Sequence, residues 1–490
     1  LKTIPVLLVF TLLFVSQIFA QVDTAWTRTY GGAQGDFGYY GEPLDDGYVF
    51  VGETSSFGAG GKDVYLVKTD VNGDSLWTAT FGDSFGQRGN CVIQTQDQGF
   101  VIAGYAEYGY DSAKVLLIKA DSTGKFIWRQ LFHPGGFLDY GYFVQQILDG
   151  GFIITGISYP GYIRQDAFLI KTDSLGNEEW AKTYGDDYGD HGYCVRQTND
   201  EGYVVTGIYS ADLYGSLGNV YLFKTDKHGN LQWQKDFGGN PTDAGYCVWQ
   251  TPDGGFILTG ETDSYGDSDG DVYLMKTDSL GIQQWTPKYF GGAEWDRGRY
   301  LDITSDGCYI IVGRTRSFGD PNGDIYLLKV DTLGTLLWQQ TFGGSGIEFG
   351  SSVQQTTDGG FFITATTTSF GAGSWEAYIL KTNPEAGVVE EDRKPKYGIG
   401  NVRLVCNPVP FLEQLTISLL GEPEGGCIGG LELKIYDVVG RRVRDLILYP
   451  SSFILETTWD GKDEEGRTAR AGTYFISIDG SPKQKVVKIQ

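Results

Sequence analysis

Arg297, Arg299, Arg314 and Arg316 fall close together in the chain, with Trp295 just ahead of them and Trp375 further on. A guanidinium presents a rigid fork of donors that meets a carboxylate two bonds at a time, and it stacks on aromatic faces. Arginines beside exposed rings therefore suit an acidic glycan, an acidic peptide or another carboxylated ligand. Neutralisation of neighbouring carboxylates accounts for the same arginines equally well, so these six residues are candidate ligand-binding positions. A second candidate is TDSYGDSDGD, where Asp263, Asp267, Asp269 and Asp271 gather several oxygens over a glycine turn in the manner of a short calcium loop. The corresponding stretch further on offers only Asp320, Asn322 and Asp324. A full calcium loop would end in a bidentate glutamate, which is missing, and a solvated Asx-type turn explains the same residues. Calcium is the one cofactor the sequence suggests.

Catalytic signatures are scarce. His133, His191 and His228 are the only histidines and occupy unrelated positions in the repeat described below, which indicates neither a zinc site nor a histidine-based triad. No GxSxG, HExxH or phosphate loop occurs, and the Asp-box ending in Thr-Trp that sialidase-like chemistry would bring is absent. A glycosidase-type carboxylate pair stays open, because acidic residues are abundant and their separation is a three-dimensional quantity.

The elements that must position these residues come from a tandem repeat. Trp26, Trp77, Trp128, Trp180, Trp233, Trp285 and Trp338 recur at intervals of 51 to 53 residues, a period that marks propellers and solenoids. Each unit reads as a segment like GYCVRQT, a turn such as DGG, a run like GFIITG, a variable loop, DVYLMKTD, a Gly-containing turn and a Trp-bearing run such as LQWQKDFGG. These β-branched and aromatic runs, bounded by turn residues, predict four strands per unit. Asp253-Gly254-Gly255 and Asp358-Gly359-Gly360 supply the positive φ that tight hairpins demand. The seventh unit stops after its third strand, at Tyr378 to Thr382, whereas Thr24 to Tyr30 has the fourth-strand pattern with no preceding partners. Pairing that N-terminal run onto the last unit closes a ring and covers an otherwise open sheet edge. The expected fold is all-β, with a seven-bladed β-propeller over residues 22–382.

Most repeated charges read as scaffold. Asp36, Gln87, Asp139, Asp190, Asp243, Asp296 and Glu348 stand two residues before the first-strand glycine. Such a ring of carboxylates suits a cation or basic ligand, but a residue present in nearly every unit is expected to hydrogen-bond its own loop. Lys68, Lys119, Lys171, Lys224, Lys276, Lys329 and Lys381 occur in all units and read as architectural pairs. Cys91, Cys194 and Cys247 share one position with Tyr40, Phe143, Tyr300 and Ser352 and read as small buried fillers. Arg314, by contrast, replaces Glu53 or Glu261 at an equivalent position, so broken symmetry directs attention to units five to seven. The loops after the second and fourth strands share one face of such a propeller and are here the long, variable ones. Function is expected on that face.

A formal charge of −24 speaks against a nucleic-acid partner. Residues 1–20 read as a secretory signal, with Lys2, the apolar run Val6 to Val15 and a cleavage-like Ile18-Phe19-Ala20. That run is too short for a transmembrane anchor, and no later segment is long enough. A linker over 383–400, rich in charge and proline, leads to 401–490, where the period disappears. There LTISLL, LELKIYD, ILETTWD and GTYFISID predict a β-sandwich. Six cysteines in so long a chain do not suggest a disulfide framework, and Cys406 and Cys427 are the candidates for pairing in an oxidising compartment.

The repeat, in forms such as QTTDGGFFIT and DVYLMKTDSLGIQQW, resembles the Trp/Asp-Gly-rich propeller repeats of secreted proteins from Bacteroidetes-like bacteria. The C-terminal region carries Asn407-Pro408, Lys434-Ile435-Tyr436-Asp437 with Gly440-Arg441, Trp459-Asp460-Gly461-Lys462-Asp463, Gly472-Thr473-Tyr474-Phe475 and Lys485-Val486-Val487-Lys488. In these it is similar to the Ig-like domain of flagellar hook-capping proteins and to the sorting domains of type IX secretion cargo. The resemblance implies export to the outer cell surface, with this domain removed or used as an anchor. The expectation is a secreted or surface-displayed binding or adhesion protein. Its propeller would recognise a glycan or protein ligand, and its C-terminal domain would meet the export machinery. A glycan-active hydrolase or lyase using carboxylates of the variable face, and a structural surface-layer component, are the alternatives.

Overall fold

The alternation of β-branched and aromatic residues folds each repeat into a four-stranded antiparallel sheet. The computed structural model describes residues 22–385 apart from 110–111, 162–163, 187–188, 211–217, 240–241 and 267–268, and beyond them the C-terminal strands with Lys462 and Arg467. Blades one to six cover 36–81, 87–132, 138–184, 190–237, 243–290 and 296–342, and blade seven is built on 348–382. Each first strand contacts the first strands of both neighbouring blades, around to Asp36–Leu44 against Glu348–Gln355, so the first strands form a closed inner ring.

Closure is made as the repeat pattern predicts. Thr24–Tyr30 pairs antiparallel with Glu376–Thr382, with Thr24 opposite Thr382 and Tyr30 opposite Ala377. The Asn383 amide then donates to the Asp23 carbonyl at 2.8 Å. The repeated tryptophan and the repeated turn glycine explain each other. A Cβ on Gly124 or Gly176 would lie 2.5 or 2.6 Å from the ring of Trp77 or Trp128 in the preceding blade, and both glycines hold a positive φ. Trp26 occupies the same place against Gly73 and packs on Tyr48, so the N-terminal strand locks blade seven to blade one.

The seven lysines are architectural. Each ion-pairs at 2.6–2.9 Å with the aspartate of the first hairpin turn in its own blade, from Lys68–Asp46 to Lys381–Asp358. The partner is thus the turn aspartate across the sheet and not the aspartate that follows the lysine in sequence. Blade five departs from the pattern, since its outer strand shrinks to Lys288–Phe290. Pro287, just ahead of it, has no amide to give to the ladder.

Among the described residues C-terminal to the propeller, seven strands form two antiparallel sheets. Arg403–Asn407, Leu415–Leu420 and Ile454–Trp459 make one, and Leu431–Asp437, Arg442–Leu448, Gly472–Ile478 and Gln484–Lys488 make the other. Ile435 and Trp459 are fully buried there. The secretory signal, most of the 383–400 linker and the pairing of Cys406 with Cys427 lie outside the described residues. Cys91, Cys194 and Cys247 are buried free thiols, whereas Cys308 is disulfide-bonded. Among the described residues no helix is long and apolar enough to cross a membrane.

Candidate functional site

The inner strands share a device that the repeat pattern does not reveal. In every blade the register shifts just after the first-strand glycine, between Gly38 and Tyr40 in blade one and at the same place in the other six. A β-bulge leaves one residue unpaired and re-aims it. The unpaired residues are Tyr39, Asn90, Tyr142, Tyr193, Tyr246, Arg299 and Ser351, and all seven line one cavity of about 410 Å³ on the channel axis. The glycine is needed there because a Cβ on Gly38 would meet the Ala365 carbonyl at 2.7 Å.

The next residue in each blade builds the floor of this cup. Tyr40, Phe143 and Tyr300 point to the axis, while Cys91, Cys194, Cys247 and Ser352 take the same position where space is lacking, all nearly or wholly buried. Alternating large and small side chains fills a converging space. Tyr40 and Tyr300 share a hydrogen bond of 3.1 Å, and Tyr40 meets Phe143 edge to face at 5.7 Å. Below them Arg196 donates to the Tyr300 hydroxyl at 2.7 Å and lies 3.8 Å from the Trp249 ring. Burial pushes the Glu42 carboxyl up to about 7 and the Asp302 carboxyl up to about 6 beside that arginine.

Of the residues singled out in the sequence, the wall takes Arg297, Arg299 and Arg314. Trp295 stands 4.8 Å from the Arg297 guanidinium, 5.7 Å from that of Arg314 and 6.0 Å from that of Arg316. Trp375 packs at the rim against Phe37 at 5.6 Å and Phe349 at 5.8 Å. Both tryptophans are half-buried, so they buttress the mouth where open stacking platforms were expected. The mouth lies among the variable loops, since the Asp36 amide donates to the Trp375 carbonyl and the Arg316 amide to the Trp295 carbonyl.

Neutralisation explains only part of the arginine cluster. Arg297 is 3.8 Å from Glu261, and Arg314 gives its guanidinium to the Asn322 carbonyl. Arg299 has no ion-pair partner among the described residues; it lies 4.7 Å from the Tyr246 ring, and burial with the nearby Arg297 charge lowers its pKa. Arg88, absent from the sequence candidates, reaches the same cup, 3.7 Å from the Tyr39 ring and 3.9 Å from Glu53. The tyrosines run side by side, Tyr142 to Tyr193 at 5.5 Å and Tyr193 to Tyr246 at 5.3 Å. Burial holds Tyr39, Tyr142, Tyr193 and Tyr246 well above the usual phenol range, so all keep their protons. His191 is pushed down to about 4 by burial, and its Nδ1 shares a 2.9 Å hydrogen bond with the Tyr193 hydroxyl.

The repeated carboxylates serve their loops. Asp36, Gln87, Asp190, Asp243, Asp296 and Glu348 each accept an amide four residues upstream at 2.8–2.9 Å, and His133 takes that role at Asp139. Of the calcium candidates, Asp271 stands where Asp63 and Asp324 accept amides of their own loops. Asp267 lies outside the described residues, and among those described no group of three or more histidine, cysteine or acidic side chains is placed to hold a metal.

Fold and cup define a seven-bladed β-propeller whose channel is closed below and arginine-rich at its mouth. No family model and no curated protein matches the chain in sequence. Solved structures match it at low identity. A protein of unknown function from Dyadobacter fermentans is 11% identical, with a TM-score of 0.45 over 74% of this chain and 99% of its own. The polysaccharide lyase Uly1 is 12% identical, with a TM-score of 0.45 over 72% and 91%. The Pan2 WD40 domain of Neurospora crassa is 9% identical, with a TM-score of 0.44 over 74% and 96%. These likenesses go no further than the fold.

Proposed function

We propose that the chain is a secreted or surface-displayed recognition protein that binds an acidic ligand in the axial cup. The observation that carries this reading is Arg299, a guanidinium without an ion-pair partner among the described residues, on a wall with no acidic residue among those that line it, in a chain whose net charge is −24. Such a seat is organised before the ligand arrives, and its charge is not already spent on a carboxylate of the protein. Residues 401–490 would then act as an Ig-like export or attachment module, supported by the two-sheet strand arrangement and the sequence resemblance. The reading is tested by Arg299→Gln on an array of acidic and neutral glycans and peptides. Acidic ligands should bind the parent and be lost from the variant at an unchanged melting temperature; equal binding by both would reject the site.

A glycan-active lyase or hydrolase is the second reading, and one observation favours it. The wall holds no carboxylate, but the Tyr193 hydroxyl, which lines the cup with Arg299, is hydrogen-bonded to the neutral His191 imidazole. Release of product from a bound polysaccharide would establish this reading over simple binding.

A further inference from the structure

The floor of the cup decides how a ligand enters it. Tyr40, Phe143 and Tyr300 meet across the axis, from blades one, three and six, and Arg196 seals the space beneath them. The channel is therefore blind, and at about 410 Å³ the cavity falls in the size range of small-ligand pockets. An extended polymer needs an open groove, or a channel with two ends, if its interior is to be held. A blind cup admits a chain end.

The wall also has a chemical bias. It contains no carboxylate to seat an ammonium and no aliphatic side chain to receive a branched apolar group, which disfavours a peptide. It offers flat aromatic faces, tyrosine hydroxyls, one amide and arginines, the complement of a polar ring bearing an anion. We infer that the cup captures the terminal uronic-acid residue of a glycan end-on, with Arg299 on its carboxylate and the rings of Tyr193 and Tyr246 along the sugar. Arg88 and Arg297, already close to Glu53 and Glu261, flank that seat. This inference rests on the binding reading above and adds both the class of ligand and the direction of entry.

Calorimetry with the full chain tests it, using galacturonate and glucuronate, their oligomers of increasing length, the corresponding polymers, and galactose as the neutral control. One protein should bind per glycan chain at every length, and the free uronate should displace the longest chain completely. Arg299→Gln should lower affinity by about tenfold or more, the scale of one charge-assisted hydrogen bond, with melting unchanged. Several proteins on one long chain, or failure of the free uronate to compete, would overturn end-on capture while leaving acidic binding in the cup intact. Binding of peptides with a free C-terminal carboxylate in place of uronates would overturn the ligand class. Absence of binding to every acidic ligand would reject the cup as a binding site altogether.

Discussion

Arg299 and Arg314 were equally visible in the sequence, yet they do different things. Arg314 is held by the Asn322 carbonyl, and Trp375 packs on Phe37 and Phe349, so both shape the mouth. Arg314→Ala combined with Trp375→Ala should therefore weaken binding by loosening the rim and leave some affinity, whereas Arg299→Gln should remove most of it; titration of both variants with one acidic ligand checks the order. The arginines of blade six were legible because they break a sevenfold pattern. Tyr39, Tyr142, Tyr193 and Tyr246 were not, because a tyrosine after the inner-strand glycine looks like one more repeated residue. Only the bulge, a property of backbone pairing, turns that position toward the axis. Arg88 was missed for the opposite reason, standing alone among uncharged neighbours.

At the scale of elements, the propeller was readable strand by strand, since tryptophan and turn glycine mark the two sides of each contact between blades. Gly176 sits at a φ of +80° with its missing Cβ 2.6 Å from Trp128. Gly176→Ala should cost about 1–3 kcal/mol through backbone strain and displacement of that ring, measured by urea unfolding. The closing strand is the most exposed element to the same logic. Removing residues 22–31 opens the blade-seven sheet edge and uncovers Tyr48 and Gly73, so the whole propeller should melt lower; a truncated protein that melts like the parent would refute the role of the strand. The shortened outer strand of blade five was not anticipated, although Pro287 was in plain view, because the tryptophan spacing continues through it undisturbed.

For the whole molecule, two sets of carboxylates set opposite pH limits. Burial opposes ionisation of Asp97, but hydrogen bonds from Lys119 and Thr95 outweigh it and hold the group down to about 2. Asp149, Asp200, Asp253, Asp306 and Asp358 are lowered by the same balance with their own lysines. A depressed carboxyl contributes stability above its unfolded value, and that stability is lost as pH falls toward the folded value. Glu42 and Asp302 act in the other sense. Their values, raised to about 7 and about 6, give stability that is complete below the unfolded values and lost as pH rises through the folded ones. The melting temperature should thus peak in mildly acidic solution and fall on both sides. Glu42→Gln should flatten the decline on the neutral side and leave the acid side unchanged, read from melting curves across the pH range.

The pairing of Thr24 with Thr382 has one more consequence. Every other blade is complete within a single stretch of chain, but the last is assembled from the first and final strands of the propeller, with Asn383 touching Asp23. The repeat in the gene and the blade in the protein are therefore one strand out of phase. A chain that stops short of Thr382, or loses Thr24–Tyr30, holds only half of the latch, so ring closure reports that the propeller is whole. A circular permutant carrying Thr24–Tyr30 behind Thr382 would turn the longest-range pairing into a local hairpin. It should close sooner in refolding, and it would lose that check on completeness.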